Sequence, residues 1–158
     1  MSITIRKFEH SDKEPVRNLL VHTESFTEAE VDVAIELVDL FLNNPNQKDY
    51  DLYTAVEGNE VLGYICIGPT PLTEGTYDLY WIAVSPVTQG KGVGKQLIKY
   101  AEETVKINNG RLLVAETSSQ PKYQKTCDFY VSAGYEILSR IKEYYKVGDD
   151  LLVYGKYL

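Results

Sequence analysis

The chain is poor in cysteine, in basic charge and in long apolar runs, and each shortage excludes something. Its two cysteines, Cys66 and Cys127, make neither a disulfide framework nor a metal-ligand spacing. Folding must then rest on core burial, and a chain of 158 residues suits one domain that buries about 68–70% of its unfolded surface. No stretch approaches the roughly 18–20 apolar residues of a membrane span, and the opening residues 1–10 lack the apolar run of a secretory signal. The expectation is a cytoplasmic protein with reduced thiols and no membrane partner. Lys and Arg number 16 against 23 Asp and Glu, a net charge of −7, whereas general nucleic-acid binding needs an excess of cations to displace phosphate counterions. Nucleic acid is therefore excluded as a partner. With 44% hydrophobic residues, 11 Gly and 6 Pro, the composition is that of a packed globular domain.

What is present reads as one mixed α/β domain over residues 1–158, with no repeat or linker. Ser2 to Phe8 alternates as a short strand. Ser11 and Glu14, with Pro15 behind them, have the form of a capping box opening a helix, and Thr27 and Glu30 form a second box before the helical stripe Val31, Ala34, Ile35, Val38 and Leu42. From Tyr50 the period changes to two. Strands at Tyr53–Val56, Val61–Ile67 and Tyr77–Val84 are joined through the hairpin signal Gly58-Asn59 and the turn around Pro69 and Pro71, an antiparallel meander. A helix with Leu97, Ile98, Ala101 and Val105 on one face follows, then a strand at Arg111–Ala115 and a helix from about Pro121 to Gly134. Tyr135–Tyr144 and Leu151–Leu158 close the chain as a pair of strands.

Chemistry concentrates in the loop Thr88–Lys95, between a strand and a helix. Gly90, Gly92 and Gly94 let successive backbone N–H groups turn inward as a concave anion nest, and the helix start behind them adds unpaired donors and a positive dipole end. Residues 85–101 contain Lys91, Lys95 and Lys99 and no acidic residue, in a chain that is acidic overall. A phosphate ester is the expected ligand. A Walker loop would need Ser or Thr after Gly94-Lys95, where Gln96 stands, and a dinucleotide fingerprint from Gly90 and Gly92 would need a small residue at Lys95.

Gln89, Gly92 and Gly94, directly after the strand Tyr80–Val84, resemble the pyrophosphate-binding motif of the GNAT acetyltransferase superfamily. Phe129, Tyr130 and Gly134 resemble its later helix-to-strand signature, and the order of elements is similar along the whole chain. The resemblance implies a mixed, largely antiparallel central sheet of about seven strands, flanked by about four helices and splayed at an acetyl-CoA site. It implies acetyl-CoA as acyl donor, without a metal, and N-acetylation of a small-molecule amine or lysine-type acceptor by direct attack in a ternary complex. The alternative is a noncatalytic acyl-CoA-binding sensor or regulatory module.

Residue roles follow from the same resemblance. Gln89, Gly90, Lys91, Gly92, Val93, Gly94 and Lys95 would hold the diphosphate, and the backbone of Ile82, Ala83 and Val84 the pantetheine arm. Tyr123 stands where an asparagine often helps hold the cofactor. Tyr130 is the implied general acid, since a phenol can protonate a departing thiolate. Two carboxylates compete as base, Asp78 and Glu116, and a water-mediated route stays open. Cys127 and Cys66 are read as packing residues, because His10 and His22 lie far back in sequence. The acidic stretch Glu24, Glu28, Glu30, Asp32, Glu36 and Asp39, which holds no Lys or Arg, is expected beside a cationic acceptor. Whether Leu151–Leu158 pairs across a homodimer stays open.

Overall fold

The computed structural model describes residues 2–23 and 25–158; Glu24, the first carboxylate of the acidic stretch, lies outside them. Eleven principal elements follow in the order β1 (Thr4–Lys7), α1 (Lys13–Val21), α2 (Glu28–Asn43), β2 (Asp51–Glu57), β3 (Glu60–Pro69), β4 (Thr76–Val84), α3 (Val93–Ile107), β5 (Leu112–Ser118), α4 (Gln124–Ser132), β6 (Glu136–Lys146) and β7 (Asp149–Tyr157). The strands form one sheet in the order β1-β2-β3-β4-β5-β7-β6. Every neighbouring pair is antiparallel except β4 with β5. That parallel pair exists because α3 carries the chain back between the two strands, as a parallel connection requires.

Helices cover both faces. On one face α3 packs Val93, Leu97, Ile98, Ala101 and Val105 against Ile65, Ile67, Leu79 and Leu113, and α4 adds Cys127 and Tyr130. On the other, α1 brings Val16, Leu19 and Leu20 and α2 brings Val31, Ala34, Ile35 and Val38 onto Leu52, Tyr64 and Cys66. These are the helical stripes that a 3.6-residue period demands of a helix lying on a sheet.

β4 does not keep a single parity. Cys66 pairs with Trp81 and Ile67 with Leu79, so Tyr80 is an extra residue, a β-bulge. Before it, Tyr77 and Leu79 face the α3 side; after it, Ile82 and Val84 do, while Trp81 and Ala83 face α1 and α2.

Two helix starts differ from the expectation. The box at Ser11 and Glu14 does not form. Asp12 instead accepts from the Glu9 amide at 2.9 Å, a 3-10 turn spans His10–Asp12, and α1 begins at Lys13. Asp12 is drawn inward because Arg6 and Thr54 also bond its carboxylate. The second box does form: the Glu30 amide donates to Thr27 Oγ1 at 3.2 Å. The helix expected from Pro121 opens as a 3-10 turn over Pro121–Tyr123 and becomes α-helical at Gln124.

Candidate active site

β4 and β5 stay paired only from Thr76 with Leu112 to Leu79 with Ala115. Beyond that register β4 runs on through Val84 held by β3, and β5 runs on through Ser118 held by β7, so a wedge opens in the middle of the sheet. The bulge at Tyr80 stands where pairing ends and supplies the extra twist that turns the strands apart. One edge of the segment 80–84 is thereby left without a strand partner, including the backbone of Ile82, Ala83 and Val84.

The glycine loop begins where β4 ends. Gly90 and Gly92 have φ of +86° and +82°, a conformation only glycine adopts cheaply, and a Cβ on either would meet nothing within 4 Å. Gly92 caps α3, whose first intrahelical bond is from the Gln96 amide to the Gly92 carbonyl at 3.1 Å. The Lys91 amide is spent on the Thr88 carbonyl. The amides of Gln89, Gly90, Gly92, Val93, Gly94 and Lys95 have no backbone acceptor among the described residues. Six free donors around open space at a helix start, with Lys91, Lys95 and Lys99 exposed beside them, form a cradle that fits a diphosphate. Gly94 serves packing as well: a Cβ there would sit 3.0 Å from the Phe129 ring, so its absence lets α3 close on α4.

The wedge opens into a cleft of about 600 Å³. Tyr80, Trp81 and Ile82 form one lip and Glu116, Thr117 and Ser118 the other; Phe26 and Glu30 cover it from the α2 side. Lys122, Tyr123 and Tyr130 close it from the α4 side, and Tyr145, Lys146 and Asp149 reach in from the β6–β7 hairpin. The structure thus brings together Ile82, Glu116, Tyr123 and Tyr130 from the expected set. It does not bring in Asp78, whose carboxylate accepts from Thr70 Oγ1 at 2.7 Å and from the Tyr80 phenol at 3.4 Å and does not line the cleft. The acidic stretch also divides. Among its described residues only Glu30 reaches the cleft; Asp39 pairs with Lys13 at 2.7 Å, and Glu28, Asp32 and Glu36 are solvated.

Tyr130 is 4% exposed, its ring packed among Phe129, Tyr135 and Tyr154, and its phenol makes no hydrogen bond among the described residues. Burial pushes that phenol well above its usual range, with Cys127 adding to the effect, so it stays protonated through neutral pH. The Tyr123 phenol, pushed up to about 12 by burial and the Glu30 carboxylate, donates towards Glu30 and the Ser25 carbonyl. Cys127 is buried in the α3-side core and Cys66 beneath α1 and α2, where burial raises its thiol far above the ordinary value.

Sequence reasoning missed Asp149, Tyr145, Trp81 and Phe26. Trp81 and Phe26 meet edge to face, 5.4 Å between centroids, across 55 residues of chain. Asp149, 6% exposed, accepts from Ser118 Oγ at 2.5 Å. Nothing local marks these residues; the hairpin and the splay bring them together.

Three comparisons bear on this geometry. A family model described as an acetyltransferase (GNAT) domain matches residues 48–137, the stretch from just before β2 to the start of β6. A crystal structure of an acetyltransferase of the GNAT family from Desulfovibrio desulfuricans is 41% identical, covers 99% of each chain and superposes with a TM-score of 0.95. The S-(2-succino)cysteine N-acetyltransferase of Bacillus subtilis (strain 168) is 25% identical over 139 residues, 85% of this chain and 75% of that one. An aminoglycoside 6'-N-acetyltransferase solved with coenzyme A, 18% identical over 98% of this chain and 96% of the other, shares the fold with a TM-score of 0.74.

Proposed function

The chain belongs to the GNAT acetyltransferase family, and from that premise we propose that it moves the acetyl group of acetyl-CoA to a primary amine by direct attack, both substrates being bound at once. One observation carries the reading: a parted pair of strands has six unspent amides at one end and an unpartnered, protonated phenol at the other. The named relatives are N-acetyltransferases, which supports nitrogen as the acceptor atom.

Acetyl-CoA supplies a thioester, and the chain supplies orientation and proton handling. The free amides of Gln89, Gly90, Gly92, Val93, Gly94 and Lys95 hold the diphosphate, assisted by the Lys91 and Lys95 ammoniums. The free backbone edge at Ile82, Ala83 and Val84 aligns the pantetheine arm, and an N–H there polarises the thioester carbonyl. As the amine nitrogen bonds to the carbonyl carbon and the carbon–sulfur bond breaks, Tyr130 gives its proton to the departing sulfur. The amine's own proton leaves to Glu116, directly or through water. Glu116 is favoured over Asp78 because it lies on the cleft lip, whereas Asp78 does not line the cleft. The burial of Cys127 supports direct attack over an acyl-cysteine route.

A thiol-release assay with acetyl-CoA across a panel of amines, run beside Tyr130→Phe, tests this. Release with at least one amine, lost in the variant, is expected. Thermal stabilisation by CoA with no release on any amine would instead favour the noncatalytic acyl-CoA sensor.

A further inference from the structure

Three carboxylates line the cleft, and three distant segments supply them: Glu30 from α2, Glu116 from β5 and Asp149 from the start of β7. None has an ion-pair partner among the described residues. Asp149 is the buried one, and its only side-chain partner among the described residues is the neutral hydroxyl of Ser118. The contrast with its neighbour Asp150 is sharp. Asp150 is met by Arg140 Nε at 2.6 Å and the Glu143 amide at 2.8 Å, so its charge is answered within the fold. Asp149 is buried without a cation beside it among the described residues, so a bound ammonium would be its counter-charge.

The walls suit a cation. Trp81, Tyr123 and Tyr145 line the same space, and the Lys122 ammonium already rests 4.9 Å from the Tyr123 ring centroid, so that aromatic face takes positive charge. Tyr145, Glu116 and Asp149 line the same cleft. The lysines of the cleft, Lys122 and Lys146, are both exposed. Independently of the charges, the buried and unpartnered phenol of Tyr130 reaches the same cleft and marks its reacting end.

Building on the transfer reading, we infer that the acceptor is a dication, with a second ammonium a few carbons from the reacting amine, and that Asp149 determines specificity by holding that ammonium. Glu30 extends the acidic floor towards the mouth. An acceptor carrying carboxylates would set like charges against Glu116 and Asp149, which disfavours a succinylated amino acid such as the one named for the Bacillus subtilis relative.

The test measures kcat/KM with acetyl-CoA for α,ω-diamines of three to six carbons, for monoamines of equal length and for S-(2-succino)cysteine. The best diamine should exceed its matched monoamine at least tenfold, through KM rather than kcat, with the succinylated amino acid poorest. Asp149→Asn, which keeps the Ser118 hydrogen bond, should collapse the diamine-to-monoamine ratio to within about threefold, and stabilisation by CoA shows whether the variant is folded. Equal use of diamine and monoamine by the unmodified protein, a ratio unchanged in Asp149→Asn, or preference for the succinylated amino acid would each overturn the proposal. If no amine is turned over, the transfer reading fails separately. Calorimetry with the CoA-loaded protein then decides: saturable binding of the diamine but not the monoamine supports a dication site, and its absence ends it.

Discussion

The Tyr123 phenol stands 3.3 and 3.4 Å from the two carboxylate oxygens of Glu30, 93 residues earlier in the chain, and 3.3 Å from the Ser25 carbonyl. One proton shared among three acceptors ties the first turn of α2 to the turn before α4, across the mouth of the cleft. The family resemblance implies a cofactor contact at this position; its hydroxyl bonds Glu30 and Ser25 on the α2 side of the cleft, where the acceptor is proposed to bind. Tyr123→Phe should therefore raise KM for the amine more than KM for acetyl-CoA, by roughly 3- to 10-fold, the equivalent of about 1 kcal/mol. Initial-rate kinetics in both substrates check this; a change confined to acetyl-CoA would restore the cofactor role.

Tyr130→Phe removes one oxygen and keeps the ring that Phe129, Tyr135 and Tyr154 pack against. The melting temperature should stay within about 2 °C, because the phenol has no partner to lose among the described residues, while kcat should drop by roughly 10²–10⁴, the usual span for a lost general acid. Burial also sets a pH expectation. With the phenol held well above its ordinary value, the proton stays on, so kcat of the unmodified enzyme should show no descending limb from Tyr130 up to about pH 10.

At Gly92 the backbone sits at φ +82°, and at Gly90 at +86°, so alanine at either place costs on the order of 1 kcal/mol in the left-handed region and adds a methyl group where the diphosphate would lie. Gly92→Ala should weaken CoA binding about tenfold in a titration. Gly94→Ala should act differently, since its Cβ would press on Phe129 at 3.0 Å: a lower melting temperature from forcing α3 away from α4.

Much of this site could be read locally. A glycine-rich turn between a strand and a helix declares itself within seven residues, because positive φ and helix starts are properties of neighbours. The seven strands and four helices followed from period and punctuation for the same reason. What stayed hidden depends on partners far along the chain. The bulge at Tyr80 leaves no mark in an alternating strand, yet it decides which residues of β4 face the cleft. The resemblance implies Asp78 as one candidate base, but its carboxylate accepts from Thr70, eight residues before it, and does not line the cleft. Asp149 sits in a turn-like run and becomes part of the site only because β7 inserts between β5 and β6.

Asp12 shows the same dependence on distant partners, and its charge can be tested by acid. Its carboxylate, 2% exposed, accepts from Arg6 at 2.7 and 3.0 Å, from the Glu9 amide at 2.9 Å and from Thr54 Oγ1 at 3.0 Å. Burial by itself would push it up, but the Arg6 bonds, then the Glu9 and Thr54 bonds, outweigh that and hold it below the usual carboxylate range. The folded state then binds fewer protons than the unfolded one between the depressed value and about 3.9, so stability rises with pH across that window and is fully present above it. Asp51, held up by burial, works in the opposite direction above that value, so the comparison must be between proteins rather than along one curve. Asp12→Asn should cost about 3 kcal/mol at pH 7, the low end for breaking a buried pair because Arg6 is a third exposed. That corresponds to roughly 6–12 °C in melting temperature. As pH falls below about 4 the gap between the two proteins should narrow; a gap that stayed constant down to pH 2 would mean that Asp12 acts through shape and not through its charge.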